Sequence, residues 1–213
     1  MKKCFKFLLM ALAIVSLSAC DEFLETSEPV TKTSDLNGVW KTTSINENAP
    51  SSSIDYLAIE GGRWSMIQNG VKWVHSPLTT IAGDGSGEFY LSGNLGTMYL
   101  MKFTGNTLEL KYNGVTRKYK LDKNVATATI KNNSTAGGGS YTFVIYEKDS
   151  SGKELYRVNI GELMGGNGWR GPICLYTNTL YADVYNYNGK LVDQTYWTNL
   201  TAGTNWTLNY SYE

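Results

Sequence analysis

The chain has 213 residues, of which 42% are hydrophobic and 18% are charged, so a largely disordered protein is excluded. Its 19 basic and 19 acidic side chains balance, and loss of an N-terminal segment with Lys2, Lys3 and Lys6 leaves 16 basic against 19 acidic, a net charge near −3. This charge argues against a nucleic-acid partner and against a basic surface for anionic membranes.

Residues 1–19 are organised like a signal peptide. Lys2 and Lys3 form a basic start, residues 7–15 are apolar and uncharged, and small residues precede Cys20. The apolar run is shorter than a helix needs to span a membrane, which is typical of a signal-peptide core. We therefore predict that residues 1–19 are a removable signal peptide.

The end of this segment, Leu17-Ser18-Ala19-Cys20, resembles the lipobox of bacterial lipoproteins. The resemblance implies that Cys20 receives a diacylglyceryl group on its sulfur, that the peptide before it is cleaved, and that the new amino terminus is acylated. Acyl chains contribute about 0.8 kcal/mol per buried CH₂, so several of them anchor a protein to a membrane firmly. An ordinary secretory signal cleaved near Ala19 is the alternative. Apart from this covalent lipid, we predict no cofactor.

Residues 20–35 comprise the lipidated Cys20 and an acidic stretch that is too polar to form a core, so we predict a disordered tether. Asp21 and Glu22, directly after the cysteine, resemble the surface-export signal of lipoproteins in Gram-negative gut anaerobes. The resemblance implies an outer-membrane lipoprotein exposed at the cell surface. Alternatively, the two acids only solvate the tether, and the protein faces the periplasm.

Cysteine usage leaves one thiol in the mature chain. Cys4 is removed with the signal peptide and Cys20 carries lipid, so Cys174 has no partner for an internal disulfide. Because Cys174 lies between Ile173 and Leu175, we predict a buried, unreactive side chain.

Residues 36–122 alternate short β-type runs with turn signals, and no apolar period of 3.6 residues extends over the length of a helix. Asn69-Gly70 and Asn113-Gly114 favour type I′ hairpin turns, in which both central residues have positive φ. We predict an all-β fold that begins with an eight-stranded up-and-down barrel. Its strands are predicted at 39–43, 54–60, 63–68, 71–75, 87–92, 97–103, 107–112 and 115–121.

The segment Leu36-Asn37-Gly38-Val39-Trp40 resembles the Gly-x-Trp signature in the first strand of lipocalins and of lipocalin-like domains in bacterial lipoproteins. In that family the Trp closes the base of the barrel and an Arg from the last strand lies across its ring. The resemblance implies that Gly38, Trp40 and Arg117 close a lipocalin-like barrel. Strand alternation places Arg117 on an otherwise apolar face, so we expect its guanidinium within about 6 Å of the Trp40 ring.

Residues 124–213 are predicted to form a small antiparallel β-sandwich, although a single barrel extended by this segment is an alternative. The segment contains ten of the 15 tyrosines. Its predicted strands are 125–131, 140–148, 153–160, 171–177, 180–187, 190–197 and 205–212.

One predicted strand carries a candidate binding face. Leu180, Ala182 and Val184 alternate with Tyr181, Asp183, Tyr185 and Tyr187, and the aliphatic set is expected to enter the core. The three tyrosines and the acid would then point outward, where aromatic rings beside polar groups suit sugars and protein interfaces. Alternatively, cross-strand tyrosine pairs only stabilise an exposed sheet.

The sequence offers little catalytic chemistry. His75 is the only imidazole, predicted at a strand end in the barrel mouth, and no Gly-x-Ser-x-Gly segment or second His accompanies it. Residues 84–88 alternate oxygen-bearing side chains but are too short for a calcium loop, so a hairpin loop is favoured. Asp183 and Asp193 are not spaced as an obvious glycosidase pair. We predict no catalytic residue and no metal site.

Together these features predict a non-enzymatic, lipid-anchored cell-envelope protein with a binding role. The ligand is either a small apolar molecule in the barrel or a glycan or protein on the tyrosine-rich face. The alternative is a structural accessory subunit of an outer-membrane assembly.

Overall fold

The computed structural model describes residues 33–50, 54–68, 72–80, 89–91, 98–135, 139–166 and 168–212. The signal peptide, Cys20, nearly all of the tether and the loop at 84–88 lie outside these residues. The described part is all-β, as predicted, and its one helical element is the 3₁₀ turn Thr33–Leu36. No helix in it has the length and apolar character to cross a membrane.

Each of the fifteen predicted strands corresponds to one strand of the structure. The first eight are β1 (Gly38–Ile45), β2 (Tyr56–Glu60), β3 (Arg63–Gln68), β4 (Lys72–Thr80), β5 (Phe89–Leu91), β6 (Met98–Phe103), β7 (Thr107–Tyr112) and β8 (Val115–Asp122). The remaining seven are β9 (Ala126–Asn132), β10 (Tyr141–Lys148), β11 (Glu154–Leu163), β12 (Gly168–Leu175), β13 (Leu180–Tyr185), β14 (Leu191–Trp197) and β15 (Asn205–Tyr210).

Strands β1–β8 pair in chain order, all antiparallel, and β8 pairs with β1, so the pairing forms a closed ring. We call these strands the ring. The β7–β8 hairpin has the predicted turn, because Asn113 and Gly114 have φ values of 44° and 77°. The ring takes no strand from the rest of the described chain.

Among the described residues, large apolar side chains from alternate strand positions form a core inside the ring. Two tryptophans and a tyrosine are the largest of these, and each is almost fully buried. This core contains Leu36, Trp40, Leu57, Ile59, Trp64, Met66, Val74, Phe103, Leu108, Leu110 and Tyr119. Burial of these side chains is the main favourable contribution to the stability of the ring.

Strands β9–β15 form two sheets, ordered β11-β10-β13-β14 and β12-β9-β15, that share one core. Alternation along β13 has the predicted sense, since Leu180, Ala182 and Val184 are fully buried. The prediction of a wholly antiparallel sandwich is wrong at one pair, because β15 runs parallel to β9. After β14 the chain crosses to the opposite sheet and enters it beside β9, and a crossover connection of this kind permits a parallel pair.

The ring and the β9–β15 region contact each other through the outer faces of β2, β3 and β4. Tyr56 of β2 packs edge-on against Tyr176, with ring centroids 4.6 Å apart, beside the buried Cys174. The Ser65 hydroxyl of β3 donates a hydrogen bond to the carbonyl of Pro172 in β12. Two opposed surfaces, rather than one linker, therefore hold the two regions together.

Candidate functional site

The predicted contact between Arg117 and Trp40 is wrong. The β1–β8 register pairs Trp40 with Leu121 and Arg117 with Ile45, which places Arg117 about 13 Å further along β8 than Leu121. Trp40 instead donates from Nε1 to the Leu36 carbonyl at 2.8 Å and meets the Phe103 ring at 6.1 Å. Gly38, which has φ +144°, also lies at the Leu121 end of β1.

Arg117 points inward, as alternation predicted, but its partner is a carboxylate. Its Nη1 lies 3.3 Å from both oxygens of Asp55, whose side chain is 1% exposed. The Thr42 hydroxyl donates to the same carboxylate at 2.6 Å. Sequence reasoning missed this acid. The sequence did contain a signal, because Asp55 lies between the apolar residues Ile54 and Tyr56. An acid buried in such a run requires charged or hydrogen-bonding partners.

The candidate binding face carries a row of side chains on the outside of the four-stranded sheet. The strand registers place Arg157, Tyr146, Tyr181 and Tyr196 side by side across β11, β10, β13 and β14. The guanidinium of Arg157 lies 4.1 Å from the Tyr146 ring centroid, and Tyr146 stacks on Tyr181 at 5.3 Å with a 12° interplanar angle. Tyr196 follows at 6.0 Å. We call these four side chains the tyrosine row.

Asp183 lies beside this row, two residues along β13 from Tyr181, and is not the exposed acid that the sequence suggested. Its carboxylate accepts hydrogen bonds from Arg157 Nη1 at 2.5 Å and Gln194 Nε2 at 2.9 Å, and its side chain is only 8% exposed. Burial opposes its ionisation, but the hydrogen bonds from Gln194 and Arg157 outweigh burial and lower the pKa of Asp183. Asp183 therefore fixes Arg157 and Gln194 in place.

The other two predicted face residues are separated from the row. Tyr185 pairs with Thr142 at the far end of β13, and Tyr187 lies beyond that strand in the turn before β14. Tyr187 is 85% exposed and Tyr196 is 61% exposed. The structure thus keeps Tyr181 and Asp183 together and recruits Tyr146, Arg157, Gln194 and Tyr196, which come from strands that sequence reasoning did not connect.

His75 is not at a strand end. Strand β4 continues to Thr80, so the imidazole lies in mid-strand on the outer face of the ring, stacked on Trp73 and edge-on to Trp169. Burial, with the charges of Arg170 and Arg63, lowers the pKa of His75 to about 4. The side chain is therefore neutral at physiological pH.

Two further buried groups lie near the boundary of the two regions. Cys174 is buried, as predicted, and burial raises its thiol pKa well above the usual range, which leaves it unreactive. Glu147 accepts hydrogen bonds from the backbone N–H groups of Tyr176 and Thr177. Burial nevertheless raises the pKa of Glu147. Glu147 thus caps a turn of backbone.

Among the described residues, no group of three or more His, Cys, Asp or Glu side chains is arranged to hold a metal ion. Comparison with known proteins gave no match to a protein-family model, to a curated protein or to a solved structure.

Proposed function

We propose that this protein is a non-enzymatic, lipid-anchored envelope protein that binds a neutral glycan at the tyrosine row. In this proposal residues 36–122 are a lipocalin-like barrel, residues 124–213 are a β-sandwich, and Cys20 carries the lipid. The observation that carries the proposal is a ladder of aromatic rings over a fixed set of hydrogen-bonding groups.

The row supports carbohydrate binding through its exposed end. The faces of Tyr146 and Tyr181 are turned toward each other, which leaves Tyr196, 61% exposed, as the ring with free apolar surface. Gln194 lies on the same strand and face, held by Asp183. An apolar ring next to fixed polar groups suits a sugar, which presents both C–H and hydroxyl groups.

A glycan fits this surface better than a large protein partner. Among the described residues, the exposed large hydrophobic side chains are Met164, Tyr187, Leu191 and Tyr196. Stable protein interfaces bury a broad, largely apolar centre, with about 800 Å² on each partner. Two rings and two aliphatic side chains at separate positions do not supply such a centre, whereas one ring and an amide are enough to orient a sugar.

The interior of the ring is a weaker candidate for a small apolar ligand. Trp64 and Tyr119 are almost fully buried and fill part of the interior, where a lipocalin-like barrel would hold its ligand. Ligand pockets usually need about 300 Å³ or more of free volume. The outer sheet face is therefore the better place for a binding function.

The glycan proposal is tested on a glycan array with the detergent-purified full chain. We expect binding to neutral glycans, and Tyr196→Ala should weaken it by roughly 1–2 kcal/mol, about tenfold, because the free ring surface is lost. Tyr187→Ala is the matched control, since Tyr187 is exposed but lies off the row. An array without neutral-glycan binding, together with co-purification of an outer-membrane partner, would support the accessory-subunit alternative instead.

The anchor and location rest on the lipobox resemblance. Cys20→Ser should move the protein from the membrane fraction to the soluble fraction and abolish labelling with palmitate. Protease added to intact cells should degrade the wild type if it is displayed at the cell surface and spare it if it faces the periplasm. Palmitate labelling of the Cys20→Ser variant would contradict the anchor.

A further inference from the structure

A second concave surface lies where the ring meets the β9–β15 region, on the side of the molecule that carries His75. It has a volume of about 460 Å³. Its wall from the ring holds Arg63 and His75, and its opposite wall holds Glu162, Met164, Trp169 and Arg170. We call this surface the arginine cleft.

Both cleft arginines lack a carboxylate partner among the described residues. Arg63 lies with its guanidinium carbon 4.2 Å from the centre of the Trp169 ring, and no described group accepts a hydrogen bond from it. Arg170 donates only to backbone carbonyls, from Nη1 to Trp169 at 3.0 Å and from Nη2 to Glu162 at 3.1 Å. The cleft therefore contains two positive charges and one negative charge, the exposed carboxylate of Glu162.

Stacking orients Arg63 for recognition of an anion. The Trp169 ring covers one face of the guanidinium and restricts its plane, while the N–H groups along the edge remain available. A guanidinium edge matches the two oxygens of a carboxylate or phosphate, so a restricted plane reduces the entropy lost on binding.

The local backbone fixes the other wall. The N–H of Gly168 donates to the Met164 carbonyl at 2.8 Å, and a Cβ atom on Gly168 would lie 2.3 Å from backbone atoms of Met164. The register of β12 then shifts between Arg170 and Ile173, a bulge that changes where the neighbouring side chains point. Only glycine permits the turn that brings Trp169 and Arg170 to the cleft.

The imidazole of His75 adds a polar group that no protein atom satisfies. Its Nε2 is buried and has no hydrogen-bond partner in the described structure. A buried polar atom without a partner is unfavourable, and such atoms are concentrated at functional sites. Because His75 lines the cleft, this unpaired nitrogen lies beside the candidate site.

We propose that the arginine cleft binds a small organic anion, an acidic sugar derivative whose carboxylate or phosphate is held by Arg63 and Arg170. The volume falls within the range of small-molecule sites and exceeds what an inorganic ion fills, so the ligand has a body beyond its charged group. This site is independent of the tyrosine row, because the two surfaces share no residue.

Tryptophan fluorescence of the full chain, titrated with four probes, tests the proposal, since Trp169 lines the cleft. The probes are glucuronate, glucose 6-phosphate, glucose and inorganic phosphate. We expect glucuronate or glucose 6-phosphate to bind at least about tenfold more tightly than glucose, because each charge-assisted hydrogen bond adds appreciably to affinity. The stronger of the two anionic sugars identifies the charged group as carboxylate or phosphate.

Variants then locate the binding. Arg63→Gln should weaken the preferred anionic sugar about tenfold or more, whereas Lys153→Gln is the control, because Lys153 is an exposed cation that lines neither the cleft nor the tyrosine row. Glu162→Gln, at an exposed position, should tighten binding roughly twofold by removing the opposing charge. This second variant preserves the test if Arg63→Gln fails to fold.

Three results would overturn the proposal. The first is no saturable binding of either anionic sugar up to about 10 mM. The second is inorganic phosphate binding as tightly as glucose 6-phosphate, which would show that the sugar body contributes nothing. The third is equal loss of binding in Arg63→Gln and Lys153→Gln, which would place the ligand elsewhere.

Discussion

Among the described residues, the ring and the β9–β15 region each contain one partly buried Arg–Asp pair, and the two pairs occupy opposite kinds of position. Arg117 and Asp55 lie inside the ring, with side chains 14% and 1% exposed. Arg157 and Asp183 lie on the outer sheet face, with side chains 41% and 8% exposed. The same residue types therefore stabilise a closed interior in one region and organise an open surface in the other.

The difference follows from the shape of each region. A ring of eight strands has an enclosed interior, so a charged residue on the inner face needs a partner within that interior. A two-layer structure has a solvent-facing side on each sheet, where a guanidinium can remain half in water while it stacks on a ring. Four predictions test this comparison.

The largest effect is expected from Arg117→Ala. Loss of the guanidinium leaves the Asp55 carboxylate buried without its counter-charge, which should lower the free energy of unfolding by about 3–5 kcal/mol. Urea unfolding measures the change. Lys118→Ala is the control, because Lys118 points to solvent and pairs with the exposed Glu47. The free energy of unfolding of this variant should match that of the wild type. Equal effects of the two substitutions would show that the Arg117 pair is not buried.

Replacement of both partners sharpens the first prediction. The double variant Asp55→Leu with Arg117→Met should be more stable than Arg117→Ala by roughly 2 kcal/mol or more, since no unpaired charge remains inside the ring. The same urea titration gives the comparison. A double variant as unstable as the single one would mean that the interior requires the charges themselves.

A smaller effect is expected from Arg157→Ala on the outer sheet face. The half-exposed guanidinium is screened by water, and Asp183 keeps its hydrogen bond from Gln194, so we expect a loss of about 1 kcal/mol. The pKa of Asp183 should rise toward its ordinary value, which NMR titration of the carboxyl measures directly. A loss as large as that of Arg117→Ala would remove the contrast between the two regions.

The smallest effect at neutral pH concerns His75, at the boundary of the two regions, because its contribution changes only on acidification. Its pKa is about 4 in the folded chain against 6.5 unfolded, so between these values the unfolded chain binds a proton that the folded chain does not. Stability should therefore fall as pH decreases from 6.5 to 4. His75→Phe should reduce this slope in thermal unfolding, whereas acid sensitivity from Asp183 remains at lower pH. An unchanged slope would contradict the burial of the imidazole.

The positions of the strands were predictable because they depend on local properties. Alternation with a period of two, separated by Gly- and Asn-rich turns, identified all fifteen strands, and the positive φ values at Asn113 and Gly114 follow from the turn type. Alternation also predicted that Arg117 points into the ring and which side of β13 is buried, since each is a property of one strand.

Only the tertiary structure decided which residues on a given side meet. Trp40 and Arg117 share a pair of strands, but the register pairs Trp40 with Leu121, four residues along β8 from Arg117, and the guanidinium lies instead beside Asp55. The tyrosine row joins four strands, and the arginine cleft joins β3 and β4 to β12. The sequence determined the strands and their faces, because these are local. Register and the packing of distant segments determined the sites, because they arise from contacts that no single strand encodes.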